Sequence, residues 1–274
     1  MSSPADVFFV MLSEAKHLWR YLEDDYCTPS LGLATDEYIA RSLPASQCSH
    51  TLRLYTYGER CALVGKYQEV PSEINVEYCK AQGMTINRRP TGGGAIVMGE
   101  GQLGVAIATP LSEDFSFLRL SMVFERYAQG LLLGLKRLGL RGEFKPRNDL
   151  LVQGKKIAGM AFAVIGNAGL FHASLLCDLD EGVMQKALRI PSSKKVSLTT
   201  VSRELGRIVT AQEVRRVVKE CYKEAFGIEL VHGPLGQEEM RGIGSLEGAK
   251  YKNPVWIYGQ DVNLHEVDGV RAVL

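Results

Sequence analysis

The 274-residue chain has no apolar run long enough to span a bilayer. Its longest early apolar stretch, Val7 to Leu12, is short and has no basic flank before it, which makes it a poor secretion signal. Six cysteines are present, but none forms a C-x-x-C pair and their gaps are wide and irregular. A zinc site or a disulfide framework is therefore not expected, and reduced, mostly buried thiols are. The five histidines show no H-E-x-x-H or similar ligand spacing. A formal net charge of +1 argues against a general nucleic-acid or membrane-surface binder. No repeat, low-complexity tract or inter-domain linker interrupts the chain. These absences together point to a cytoplasmic protein.

What is present is ordinary globular material: 46% apolar and 23% charged residues, enough for one large core or two modest domains. Leu33 to Leu43 reads as a helix with Asp36 and Glu37 near its start. Thr51 to Tyr57 alternates as a strand, with Leu52 and Leu54 on one face, and Cys61 to Tyr67 reads as its hairpin partner. A short helix over 75–82 precedes a strand at Met84 to Arg89. Ala95 to Met98 and Leu103 to Ala108 read as two strands joined at Gly99-Glu100-Gly101. Leu118 to Leu138 carries an apolar face at helical spacing. A meander then runs from Asp149 to Leu176. Ala211 to Ala225 is again helical, with a capping box at Thr210 and Glu213 and a stop at Gly227. Residues 186 to 223 hold ten Lys or Arg against three Asp or Glu. That is a solvated helical face or a dock for an acidic domain. The predicted class is α+β, a largely antiparallel mixed sheet with flanking helices on one face.

Two segments carry chemistry. Arg88-Arg89-Pro90-Thr91-Gly92-Gly93-Gly94-Ala95 sets two guanidinium groups and a hydroxyl beside three residues without a Cβ. Backbone N–H groups can approach a ligand there, and the charge suits a phosphate or carboxylate. Alone, such a segment is equally a glycine-rich hairpin with two surface arginines. The second segment, Arg147-Asn148-Asp149 to Gly159, presents Lys156 at a strand start, with Asn148 and Asp149 at the end of the preceding strand. A lysine near an anion cradle would neutralise carboxylate and phosphate together, and Asp149 could hold Mg²⁺.

Together these segments resemble the lipoate–protein ligase A family of the biotin/lipoate ligase superfamily. Leu33 to Glu37, Val64 to Gln68, Phe171 to Leu176 and Tyr251 to Gly259 with Trp256 are similar to further parts of that family. The resemblance covers roughly residues 18 to 260. It implies a catalytic domain of the class II aminoacyl-tRNA synthetase/biotin ligase type over 18–260, an N-terminal extension over 1–17, and a tail over 261–274 too short for an accessory domain.

The chemistry implied by the resemblance is ATP-dependent attachment of lipoate to a lysine of a lipoyl domain through lipoyl-AMP. Lys156 would contact the carboxylate and α-phosphate. Arg89, Thr91, Gly92, Gly93, Gly94 and Ala95 would cradle the adenylate, with Asn148, Asp149, Gly159, His172 and Ser174 around them. Val64 and Tyr67 would border the acyl tail. ATP, Mg²⁺ (on Asp149) and lipoate are the implied small molecules. The implied acceptor is an E2 subunit, a glycine-cleavage H protein or a specialised lipoate-binding protein, and a separate accessory ligase subunit is compatible with the short tail. Neither nucleic acid nor membrane is an expected partner.

The chain departs from the pattern at Met98-Gly99, where the family usually has His-Asp, and at Gln102, where Asn is usual. Related octanoyltransferases use a cysteine just upstream of the strand that begins near Asp149. Residues 140 to 148 contain none, with Arg141 and Phe144 at the plausible positions. Ligation is therefore expected over ATP-independent octanoyl or lipoyl transfer. A member that binds lipoyl-adenylate or a lipoyl domain without turnover is the remaining alternative, ahead of a biotin ligase.

Overall fold

The computed structural model describes residues 18–43, 50–111, 120–190, 196–259 and 270–272. The extension over 1–17, the loop 191–195, Cys48 and most of the tail lie outside the described residues.

The elements are β1 (Leu18–Cys27), α1 (Pro29–Ser42), β2 (Thr51–Tyr57), β3 (Cys61–Val64), α2 (Val70–Glu73), α3 (Val76–Ala81), β4 (Thr85–Arg88), β5 (Ile96–Met98) and β6 (Gln102–Pro110). They continue as α4 (Leu120–Arg137), β7 (Gly142–Lys145), β8 (Asp149–Val152), β9 (Lys155–Ile165), β10 (Ala168–Leu176), α5 (Glu181–Ala187), α6 (Val201–Leu205) and α7 (Ala211–Phe226). Last come β11 (Glu229–His232), α8 (Gln237–Leu246), a π-helical turn (Glu247–Tyr251), α9 (Pro254–Tyr258) and β12 (Val270–Ala272).

A nine-stranded sheet runs β11-β1-β2-β6-β10-β9-β8-β7, with β12 also pairing to β9. Its β1 pairs are parallel and the rest are antiparallel, so the mixed α+β class is as expected. A second sheet, β4-β3-β5, has three strands. Here the expected pairing fails: β3 is not the hairpin partner of β2. Both edges of β2 are taken, by β1 and β6, so β3 has no edge there to join and pairs with β4 and β5 instead. For the same reason β5 and β6 form no hairpin; the Gly99–Gly101 turn crosses between sheets.

Helices cover both faces of the large sheet, not one. Leu52, Leu54, Val105 and Phe171 pack under α4 and α7, through Leu131, Leu135, Val214 and Val218. On the opposite face Tyr55, Tyr57, Ala106 and Leu170 meet Leu33, Ile39 and Ala40 of α1, with Ile243, Tyr251 and Trp256 behind. The alternation of β2 explains this: odd and even positions serve two different cores.

Of the capping box expected for α7, the Thr210 half and the Gly227 stop are present, while the Glu213 carboxylate pairs with Arg207 instead. Thr210 accepts from the Glu213 N–H, and Gly227 closes the helix in the left-handed region at φ 59°. α1 begins earlier than expected, with Thr28 as its N-cap and Pro29 in the first turn. Asp36 and Glu37 therefore sit mid-helix, 2% and 0% exposed, where they do not serve the helix dipole. Buried carboxylates need partners. Glu37 receives Lys250 Nζ at 2.7 Å and 2.9 Å and Arg41 Nη2 at 2.6 Å. Lys250 stands 3.9 Å over the Trp256 ring. This ion cluster docks the C-terminal segment on α1 and brings it to the glycine-rich loop.

Candidate active site

The register of the large sheet builds the floor of a cavity. Asp149, Gly159, Ser174, Gly104 and Tyr55 lie in one row across β8, β9, β10, β6 and β2. The next row carries Ala161, His172, Ala106 and Arg53. Small residues leave room above this floor for a cavity of about 600 Å³. Leu33, Tyr55, Tyr57, Leu63 and Met98 form apolar walls; Arg89, Asn148, Lys156, His172 and Ser174 are among its polar groups, with Glu73 and Arg189 also on the lining. Tyr55 lies flat on Gly104, where an added Cβ would meet its ring at 2.4 Å.

Lys156 is held from three sides. Its N–H donates to Ser197 O at 2.8 Å and its carbonyl accepts from Thr199 N–H at 2.9 Å, so residues 197–199 clamp its main chain. Its Nζ is 2.6 Å from Asp149 Oδ1. Its side chain lies over Gly159, where an added Cβ would come within 3.1 Å of Cε and Nζ. Leu198 of the clamp and the adjacent Val196 also line the cavity. Sequence reasoning missed this segment, because a short run beyond a loop candidate has no periodicity to mark it.

The two arginines do not serve alike. Arg88 spends itself on carbonyls: Nε on Trp256 O at 2.8 Å, and Nη1 on Gly65 O and Lys66 O at 3.1 Å and 2.9 Å. Trp256 Nε1 returns a bond to Arg88 O at 2.9 Å. Arg89 is 6% exposed and lines the cavity. Its guanidinium donates to Gly92 O and Gly94 O, both at 2.7 Å from Nη2, and to Leu63 O at 3.3 Å. Among the described residues it has no carboxylate partner, and burial pulls its pKa down to about 10. A buried cation bonded only to carbonyls retains an unbalanced charge, which suits an anionic ligand head.

The glycine loop is shaped by contact and conformation. Gly93 adopts φ 90°, and a Cβ on Gly65 would lie 2.1 Å from Gly93 O. Of the expected site residues, Arg89, Gly93, Gly94, Ala95, Asn148, Lys156, Gly159, His172 and Ser174 line the cavity. Thr91 is fully buried behind the wall, its hydroxyl 3.2 Å from His172 Nδ1. Gly92 is buried beside it, accepting from Arg89. Asp149 reaches the cavity only through Lys156. Val64 is 0% exposed inside the small-sheet core, and Tyr67 is 47% exposed, so neither borders the cavity. Apolar lining of the cavity comes instead from residues such as Tyr55 and Tyr57. The alternation that put Leu52 and Leu54 on one face already left Arg53, Tyr55 and Tyr57 on the other.

Met98 adds an apolar group to the wall, and Gln102 donates to Asp178 O at 2.6 Å. Among the described residues no three His, Cys, Asp or Glu are arranged to hold a metal ion. The donor set does not fit a resident ion, since Asp149 is already committed to Lys156. Cys27, Cys61, Cys79, Cys177 and Cys221 are all buried free thiols. None lines the cavity. Burial pushes Cys27 up to about 11 and Cys177 to about 12, away from thiolate reactivity. Much of the basic excess over 186–223 is neutralised: Arg203 pairs with Glu181, Arg207 with Glu213 and Arg215 with Asp25. No described helix is long and apolar enough to cross a membrane.

Comparison with known proteins gives the family of the chain. The family model for the lipoyl protein ligase A/B catalytic domain matches residues 28–223. Octanoyltransferase LipM of Geobacillus kaustophilus is 26% identical over 88% of this chain and 98% of its own. Lipoate–protein ligase 1 of Staphylococcus aureus is 28% identical over 85% of this chain and 71% of its own. The bipartite lipoate protein ligase of Thermoplasma acidophilum, solved in a study with its E2 lipoyl domain, superposes with a TM-score of 0.78 at 26% identity, covering 89% of this chain and 96% of that one. A lipoate–protein ligase A structure bound with ATP gives 0.78 at 26% identity over 89% and 99%. The cavity, its lysine and its glycine loop thus sit in a chain that belongs to the lipoyl protein ligase A/B catalytic domain family, an enzyme of the lipoate ligase/transferase group.

Proposed function

We propose that the protein is an ATP-dependent lipoate–protein ligase. The observation that carries this is a cavity presenting Lys156 and the buried Arg89, without a carboxylate partner among the described residues, to a ligand, with no thiol among the described residues on its walls. The lipoate carboxylate attacks the α-phosphorus of ATP, and pyrophosphate leaves. A lysine amine of the acceptor then attacks the acyl carbon, loses a proton, and AMP leaves. Both steps gather negative charge near Lys156 Nζ, so catalysis is positioning and charge stabilisation. Asp149 acts by aiming Lys156; magnesium enters with the nucleotide phosphates. The apolar walls receive the dithiolane tail. The acceptor is a lipoyl domain, a reading supported by the Thermoplasma acidophilum system.

The LipM relatives favour a second reading, octanoyl transfer from a carrier protein without ATP. An acyl-enzyme on that route needs a nucleophile, and Cys48 is the cysteine outside the described residues. The test incubates the purified protein with an E2 lipoyl domain and lipoate, with and without ATP and Mg²⁺, and in parallel with octanoyl-carrier protein. The lipoyl mass should appear only with ATP and survive Cys48→Ser. Transfer from the carrier without ATP, abolished by Cys48→Ser, would overturn the ligase reading.

A further inference from the structure

His172 stands at the cavity wall, 7% exposed. Its Nδ1 faces Thr91 Oγ1 at 3.2 Å, and its Nε2 faces Asp36 Oδ2 at 3.3 Å. Asp36 Oδ2 and His172 Nε2 are both buried, and neither meets hydrogen-bond geometry with any partner among the described residues, so their 3.3 Å approach is a close polar contact waiting for a proton. The other Asp36 oxygen accepts Arg53 Nη1 at 2.7 Å. Arg53 is 2% exposed and is tied as well to Gly32 O at 3.2 Å and Asp24 at 2.9 Å. Asp36 is thereby fixed by α1 on one side and by Arg53 on the other. Burial would raise its pKa, but the Arg53 guanidinium beside it outweighs this and holds the carboxyl below the usual carboxylate range.

A carboxylate only accepts, so a proton that serves this contact sits on Nε2. In the tautomer with its proton on Nε2, Nδ1 carries the lone pair and the Thr91 hydroxyl is the donor to it. Thr91 is held at its other end too, since its carbonyl accepts from Lys66 N–H at 3.0 Å. The next three residues are Gly92, Gly93 and Gly94, and the carbonyls of Gly92 and Gly94 position Arg89.

We propose that Asp36 is a positioning residue that fixes the His172 tautomer and, through Thr91, sets the glycine loop that holds Arg89 at the cavity. This rests on the acyl-transfer reading of the same site. It adds a device running from the middle of α1 to that loop, through a residue that touches no ligand.

The test has two independent readouts. In ¹⁵N-histidine NMR of the whole protein, His172 should show protonated Nε2 and bare Nδ1. Asp36→Asn should mix the tautomers and shift the amide signals of Gly92, Gly93 and Gly94. Asp36→Asn and Thr91→Val should each lower kcat by ~10–100-fold, as loss of an orienting partner does. The double variant should lose little more than either alone, because both cut one chain of contacts. Thr91→Val keeps the buried ion pairs intact and covers the case where Asp36→Asn fails to fold. A Nδ1-protonated or doubly protonated His172, unmoved glycine amides, or additive losses would overturn the proposal. Absence of transfer from either donor would sink the function reading instead, while the NMR still decides the role of Asp36.

Discussion

Gly159→Ala separates where Lys156 sits from what it does. A Cβ at this position would lie 3.1 Å from Lys156 Cε and Nζ and near no other side chain or backbone atom. The neighbour that must yield is the tip of a flexible side chain, so the fold has an inexpensive response. Gly159 is not among the residues with positive φ, and its conformation accepts a side chain. Replacing glycine there reduces the freedom of the unfolded chain and stabilises by ~0.4–1 kcal/mol, which offsets the contact. Stability should therefore hold or rise slightly in urea unfolding. Catalysis should fall, because the ammonium must lift off the sheet and away from Asp149, its partner at 2.6 Å. A displacement of this kind costs up to ~10²-fold when groups are held for reaction. The assay is steady-state transfer to a lipoyl domain, with kcat and KM resolved, beside the unfolding curve. Wild-type kcat in a normally folded variant would refute the placement of Lys156 over Gly159 as a catalytic requirement. A large loss of stability would refute the claim that only the lysine tip is displaced.

Lys156→Ala should lower kcat/KM by ~10²–10³, as loss of a preorganised charge stabiliser does, with little change in melting temperature. Tyr55→Ala should lengthen the accepted acyl chain. From Gly159 on β9 to the Tyr55 ring over β6 is two strand spacings, roughly 10 Å. An extended chain advances ~1.2 Å per bond, so about eight carbons fill that span. Opening one more spacing should favour ten- and twelve-carbon acids in a competition assay, and an unchanged length profile would remove Tyr55 as the end stop. Gly65→Ala, whose Cβ would meet the backbone oxygen of Gly93 at 2.1 Å, should destabilise by ~1–3 kcal/mol in chemical denaturation.

Local features were legible where one stretch of chain decides them. The Thr210 cap and the Gly227 stop of α7 are set within single turns. The strand at Thr51 to Tyr57 is set by its own alternation. The glycine loop and the Lys156 hairpin were legible as motifs, because a ligand-facing backbone needs small residues and a charge at fixed offsets. The partners of the buried charges were not. Arg88 reads as a candidate anion ligand from its neighbours, yet its Nε bonds to Trp256 O across 168 positions of sequence. Asp36 reads as a helix-start acid, yet it pairs with Arg53 and faces His172.

The sequence by itself determined the types of the elements with clear periodicity, the two motif segments and the kinship, all of which depend on residue identity and short spacing. Tertiary structure decided which strand β3 would join, which of two adjacent arginines would face the cavity, and that tyrosines of β2 rather than Val64 and Tyr67 would wall it. Those outcomes depend on free sheet edges, on register between distant strands, and on which buried charge finds an opposite charge. Only the assembled chain brings these together.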